Sequence, residues 1–177
     1  ALRSQLITIL DYLDGSTNIA TDVPPHTPLL ADAHDVQIAL LGPAPQNADP
    51  PGYVYQNEAP PGYVYLLETH INGAILAPAT TPDQHQLAQT IIKGIDNLKH
   101  QLAQMAQDAR QLISLPDAQL LAQPALTMLN DLATQAQYAY TGHADPATAA
   151  SPGGSLWVYT SLQQLVTFSV ASYVAPA

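Results

Sequence analysis

One stretch of the sequence decides the predicted fold: Thr81–Ser114, which reads TPDQHQLAQTIIKGIDNLKHQLAQMAQDARQLIS. It contains seven apolar residues at alternating spacings of four and three: Ile91, Ile95, Leu98, Leu102, Met105, Ala109 and Leu112. This spacing places all seven on one side of a helix that packs along its length. Thr81 as N-cap, Pro82 at the first helical position and Gln84 as capping-box partner predict where the helix begins. At about 1.5 Å per residue, the helix would be roughly 45–50 Å long.

Composition excludes several classes of protein. A chain of 177 residues is predicted to form a single domain, 1–177. Its charged residues make up 10% of the chain, well below the roughly 25% of an ordinary soluble protein. Four basic residues against fourteen acidic ones give a net charge of −10, which argues against nucleic-acid binding because no basic patch faces the phosphates. The absence of cysteine excludes disulfides and thiolate metal sites.

The segment before the long helix predicts a helix followed by a small sheet. Residues 1–15 read as helix 1, closed by a glycine. Residues 29–80 read as an inserted β and loop region, because the sequence PPGYVY occurs twice, at Pro50–Tyr55 and Pro60–Tyr65. Each copy resembles a turn that leads into a strand, and Asn72-Gly73 is a strong two-residue hairpin signal. We therefore predict an antiparallel, Tyr-rich sheet between helices 1 and 2.

Two further helices are predicted after residue 114. Residues 115–142 form one helix that Pro124 kinks or splits. Residues 155–175 carry no charged side chain and read as a C-terminal helix buried on most sides, although their β-branched and aromatic residues also fit a strand. Gln163 and Gln164 argue against a membrane span. The predicted fold class is α+β and helix-dominated, an antiparallel bundle of three to four helices with the small antiparallel sheet inserted.

Candidate sites are few, and none of them is catalytic. Tyrosines on one face of the repeated strands suit subunit contacts, because tyrosine buries a large area and keeps a polar tip. The contact candidates are Tyr53, Tyr55, Tyr63, Tyr65, Trp157, Leu165 and Phe168. Asp32, His34 and Asp35 form the densest cluster of possible metal ligands, but their spacing matches no known metal motif, and solvated loop residues are the simpler interpretation. No cofactor is predicted.

These features favour a structural, self-associating protein of the cell surface, such as a subunit of a filament, sheath or layer, without enzymatic activity. The alternative is a periplasmic or extracellular helical bundle that binds a small ligand or a metal ion. Scarce Lys and Glu, abundant Ala, Gln, Thr and Pro, and a start at Ala1 rather than Met predict an extracytoplasmic location. A chain cut at a domain boundary would also explain that start. The expected partner is a second copy of the chain.

Overall fold

The computed structural model describes residues 2–15, 18–27, 39–42, 61–78, 80–143 and 153–167. Within these ranges the chain is helix-dominated and contains no β-strand. The helices are α1 (Leu2–Asp14), α2 (Ile19–Asp22), α3 (Tyr63–Ile75), α4 (Pro82–Ser114), α5 (Asp117–Leu120), α6 (Gln123–Thr141) and α7 (Ser155–Leu165).

Helix α4 lies at the centre of the fold. The predicted capping box is confirmed: the Gln84 backbone N–H donates to the Thr81 hydroxyl (3.3 Å), and the Thr81 backbone N–H donates to Gln84 Oε1 (3.0 Å). All seven apolar residues of the predicted seam are buried, together with Ala88, Gly94, Ala106 and Ile113. Because this second set widens the buried surface beyond one stripe, α4 packs against helices on several sides: α1, α3, α6 and α7 all contact it.

The first half of α4 is flanked by α3 and α7. Helix α3 leads into α4 through a short turn, and Glu68 of α3 reaches Lys99 of α4 (2.8 Å between Oε2 and Nζ). Trp157, at the start of α7, packs over Gly94. Gln84, at the start of α4, donates to the carbonyl of Leu165 at the end of α7 (3.5 Å). Helix α7 therefore runs antiparallel to α4.

The second half of α4 is flanked by α1 and α6. Arg3, near the start of α1, donates to the carbonyl of Ile113 at the end of α4 (3.2 Å). In α6, the Gln135 side chain donates to Asp108 of α4 (3.0 Å). The carbonyl of Tyr138 accepts from Gly142 N–H and closes α6. These contacts agree with a helical bundle in the described part of the chain.

The predicted Tyr-rich sheet is wrong where the structure describes it. Tyr63–Ile75, which includes the second Tyr-Val-Tyr copy and the Asn72-Gly73 signal, forms helix α3. The physical reason is a competing helical period, because Val64, Leu67, Ile71 and Ile75 recur at spacings of three and four. Val64 and Ile71 are buried in the core shared with α4, so tertiary packing overrides local strand propensity. The first copy, Pro50–Tyr55, lies outside the described residues.

Two boundaries near the C-terminus depend on local sequence. The region 115–142 contains two helices, α5 and α6. Pro124 lies in the first turn of α6, where backbone N–H groups make no intrahelical hydrogen bond, so the helix loses no hydrogen bond to proline there. Helix α7 ends at Leu165 rather than at residue 175, and residues 168–175 lie outside the described part. Among the described helices, none is long and apolar enough to cross a membrane.

Candidate ligand-binding cavity

A four-residue segment, 39–42, joins the end of α1 to the start of α3 through backbone hydrogen bonds. The amides of Leu40 and Leu41 donate to the carbonyls of Tyr12 and Leu13 (2.9 and 2.8 Å), which α1 itself leaves without partners. The amides at the start of α3 in turn donate to carbonyls of the segment, Tyr63 N–H to Ala39 at 2.9 Å among them. The segment therefore satisfies two helix ends at once and holds the side chain of Leu40 in a fixed place.

Close backbone approach at this junction depends on glycine. A Cβ added at Gly62 would lie 2.5 Å from the carbonyl carbon of Leu41. A residue with a side chain at position 62 would push the 39–42 segment away from α3. Gly62 thus keeps the junction tight enough for the hydrogen bonds between the two segments.

A cavity of about 350 Å³ opens at this junction. It lies where α1, the 39–42 segment, α3, α4, α6 and α7 meet. Its lining consists of Ile9, Tyr12, Leu13, Leu40, Val64, Leu98, Leu102, Met105, Ala136, Ala139, Tyr140 and Ser155. Leu98, Leu102 and Met105 belong to the seam of α4, so the cavity uses part of the same apolar surface that organises the core.

The described lining is apolar apart from two tyrosines and a serine. Nine of its residues have aliphatic or thioether side chains, and the other three are Tyr12, Tyr140 and Ser155. Tyr12 is 57% exposed, Tyr140 61% and Leu40 42%, so these three form the rim, whereas the residues contributed by α4 are buried. An open mouth with a buried apolar floor can admit a small molecule and remove much of its surface from water.

A partly buried ion-pair cluster includes Asp14, the residue after Leu13 of the cavity lining. Arg110 of α4 donates to the carboxylates of Asp14 and Asp22, the latter at 2.9 Å. Burial raises the pKa of Asp14 from 3.8 to about 6; the Arg110 guanidinium opposes this and the neighbouring Asp22 carboxylate adds to it. The cluster ties α1 and α2 to α4 and brings together residues that are 96 positions apart.

A second charge cluster explains the position of Tyr65. Lys99 Nζ lies 2.8 Å from Glu68 and 2.7 Å from Asp96, and 5.2 Å from the centre of the Tyr65 ring. Burial lowers the pKa of Lys99, but the hydrogen bonds to Asp96 and Glu68 outweigh it, so the pKa of Lys99 is raised overall. Tyr65 therefore packs within its own chain, against a cation of α4.

The other predicted site residues do not meet at one place. Tyr63 is 55% exposed at the start of α3. Trp157 and Leu165 pack against the core of their own chain. The remaining candidates lie outside the described residues: Tyr53, Tyr55, Phe168, Asp32, His34 and Asp35. In the described part, no group of three or more His, Asp or Glu side chains is arranged to hold a metal ion.

Sequence reasoning did not find the cavity. Its lining comes from six segments, and no pattern in the sequence indicates that these segments meet at one place. Comparison of the chain with protein-family models, with curated proteins and with solved structures found no match.

Proposed function

We propose that the protein binds a small apolar molecule in the cavity at the helix junction. The observation that carries this proposal is an open cavity of about 350 Å³ whose described lining is apolar except for two tyrosines and a serine. Ligand sites in proteins have typical volumes of roughly 300–1,000 Å³ and the same combination of apolar walls and a few polar groups. Of the two functions expected from the sequence, ligand binding by a helical bundle is the one this geometry favours.

The volume limits the size of the ligand. An engineered cavity of about 150 Å³ in another protein holds benzene, which has six carbon atoms. Scaling that ratio to this cavity gives a ligand of about 14 non-hydrogen atoms. At roughly −0.3 to −0.5 kcal/mol per atom, such a ligand would bind with a Kd between about 1 mM and 10 µM.

A fluorescence titration tests the proposal. N-phenyl-1-naphthylamine is an uncharged probe whose emission rises when it leaves water for an apolar site. We expect saturable emission with wild-type protein, and a large loss of affinity in Ala136→Leu, because the added side-chain carbons enter the cavity space. Ala133→Leu is the matched control, since Ala133 lies on the same helix, is exposed and does not line the cavity.

Two results would contradict the proposal. One is the absence of saturable binding to wild-type protein by both the probe and the smaller biphenyl-4-methanol, and the other is equal binding by wild type and Ala136→Leu while the protein stays folded by circular dichroism. A second readout is thermal: a ligand at 100 times its Kd should stabilise the native state by about 2.7 kcal/mol. This stabilisation should disappear in Ala136→Leu and persist in Ala133→Leu.

Self-association is the second candidate function. Leu76 and Val166 are 70% and 68% exposed, and a groove of about 250 Å³ between the α3–α4 turn and the end of α7 includes Val166 in its lining. Their apolar surface and the low charge of the chain support contact with a second copy. Light scattering of wild type and of Leu76→Gln tests this, and a concentration-independent monomer in both would refute it. An extracytoplasmic location and the absence of enzymatic activity stay predictions.

A further inference from the structure

Resting on the proposed function, we infer that the cavity selects uncharged ligands with an apolar body and a polar group at one end. None of the twelve lining residues in the described part of the chain is charged. A charged group placed against an apolar wall loses its hydration and gains no counterion, which costs far more than the loss of a neutral polar group. The lining therefore discriminates by charge as well as by size.

Anions gain no counterion from the described lining, because three of the four basic residues form ion pairs and the fourth, Lys93, is exposed on α4 and does not line the cavity. Arg110 binds Asp14 and Asp22, and Lys99 binds Asp96 and Glu68. At the far end of α1, Arg3 pairs with Asp117 (2.8 Å). An anionic ligand would have to break one of these pairs or remain uncompensated, in a chain whose net charge is −10.

Cationic ligands are expected to bind weakly for a different reason. The net negative charge attracts them from a distance, but none of the described lining residues carries a carboxylate. Two carboxylates adjoin the lining in the sequence: the buried Asp11 precedes Tyr12, and Asp14, which Arg110 holds, follows Leu13. Contacts of a cation with the Tyr12 and Tyr140 rings at the exposed rim are worth about 0.5–1 kcal/mol.

The rim also fixes the direction of the ligand. Tyr12 and Tyr140 are exposed, whereas Leu98, Leu102 and Met105 form the buried floor. A phenolic hydroxyl both donates and accepts hydrogen bonds, so it suits an alcohol, a phenol or a carbonyl group. The polar end of the ligand therefore lies at the mouth, between the two tyrosines, and the apolar end points toward α4.

Three ligands of matched shape test this inference: biphenyl-4-methanol, biphenyl-4-carboxylate and biphenyl-4-methylammonium. They differ in charge and have the size that the cavity volume indicates. Isothermal titration calorimetry at pH 7 should give an affinity for the alcohol at least tenfold higher than for either ion. Each compound is also tested for displacement of N-phenyl-1-naphthylamine, which reports whether it enters the same site.

The outcomes separate the two proposals. If the naphthylamine probe binds and all three biphenyls displace it equally, or an ion displaces it best, the charge selectivity is refuted and the ligand-binding function stands. If neither the probe nor any biphenyl binds, the proposed function itself is refuted.

Substitution of the rim tyrosines tests the orientation. Tyr140→Phe and Tyr12→Phe should each lower the affinity for biphenyl-4-methanol by roughly two- to tenfold, the usual range for one neutral hydrogen bond. Neither should change the affinity for unsubstituted biphenyl. The control is Tyr159→Phe, because Tyr159 is exposed on α7 and bonds to Gln163 rather than lining the cavity. Unchanged alcohol affinity in both rim variants would overturn the proposed orientation.

Discussion

The contact between Gly94 and Trp157 makes a quantitative prediction about how α7 is held on α4. A Cβ at position 94 would lie 2.5 Å from Cζ3 of Trp157 and 3.1 Å from Cε3. Real Cβ atoms do not approach carbon atoms that closely, so Gly94→Ala must displace the indole ring. Because the ring belongs to the first turn of α7, its displacement loosens the contact between the two helices.

Two opposed effects set the size of the change. Alanine in the interior of a helix is better than glycine by about 0.8–1 kcal/mol. Overpacking a well-filled contact costs about 1–3 kcal/mol. We therefore expect Gly94→Ala to lower the free energy of unfolding by about 1 kcal/mol, although the same substitution in an exposed helix would raise it.

A double-mutant cycle with Trp157→Leu separates these effects. Leucine lacks both of the ring atoms that a Cβ at position 94 would meet, so in that background Gly94→Ala should become stabilising, by up to about 1 kcal/mol. Urea unfolding followed by far-UV circular dichroism measures all four proteins, since the signal does not require the tryptophan. Equal destabilisation by Gly94→Ala in both backgrounds would refute the packing of Trp157 over Gly94.

Three further predictions concern single residues. Burial raises the pKa of Asp14 from 3.8 to about 6, so the native state binds the carboxyl proton of Asp14 more tightly than the unfolded state does. The protonated carboxyl group therefore adds to the free energy of unfolding below about pH 4, and this contribution is lost as the pH rises through 6. The free energy of unfolding of wild type minus that of Asp14→Asn should therefore fall between pH 4 and pH 7 in denaturant titrations, and a difference that rises over this range would contradict the sign. Thr81→Ala removes the N-cap of α4 and should lower the free energy of unfolding by about 1 kcal/mol, measured by urea unfolding. The control is Thr134→Ala, because the exposed hydroxyl of Thr134 bonds within its own helix. Equal effects of the two substitutions would argue against the cap. Gly142 has φ 84° and ψ 156°, a backbone conformation that other residues rarely adopt. Gly142→Ala should therefore lower the free energy of unfolding by about 1–3 kcal/mol and lower the melting temperature. An unchanged melting temperature would argue against this backbone conformation.

The sequence was informative where a single element carries its own periodicity. Helix α4 was predictable in position, start and buried face, because its seam repeats from Ile91 to Leu112 and its N-cap, Thr81, lies directly before its first residue. The prediction of a strand and hairpin over Tyr63–Ile75 is wrong, because Tyr-Val-Tyr and Asn-Gly are strong local signals for strand and turn. The segment forms a helix because Val64 and Ile71 are buried against α4, and this contact joins residues that are distant in the chain.

The cavity and the charge clusters depend even more on distant contacts. Arg110 meets Asp14 across 96 positions and Lys99 meets Glu68 across 31. Neither pair has a spacing that a sequence motif would show. A cavity is still harder to predict, because it is defined by side chains too short to fill the space, such as those of Ala136 and Ala139, where six segments converge.

The central position of α4 has a consequence for the way the molecule opens. The outer helices α1, α3, α6 and α7 all pack on it, so the detachment of one of them leaves its middle covered by others. Amide protons in the middle of α4 should then exchange with solvent only through global unfolding, and those near the ends of the outer helices through local opening. Since α1 and α3 precede α4 in the chain, a growing polypeptide can bury them against α4 before α6 has been synthesised.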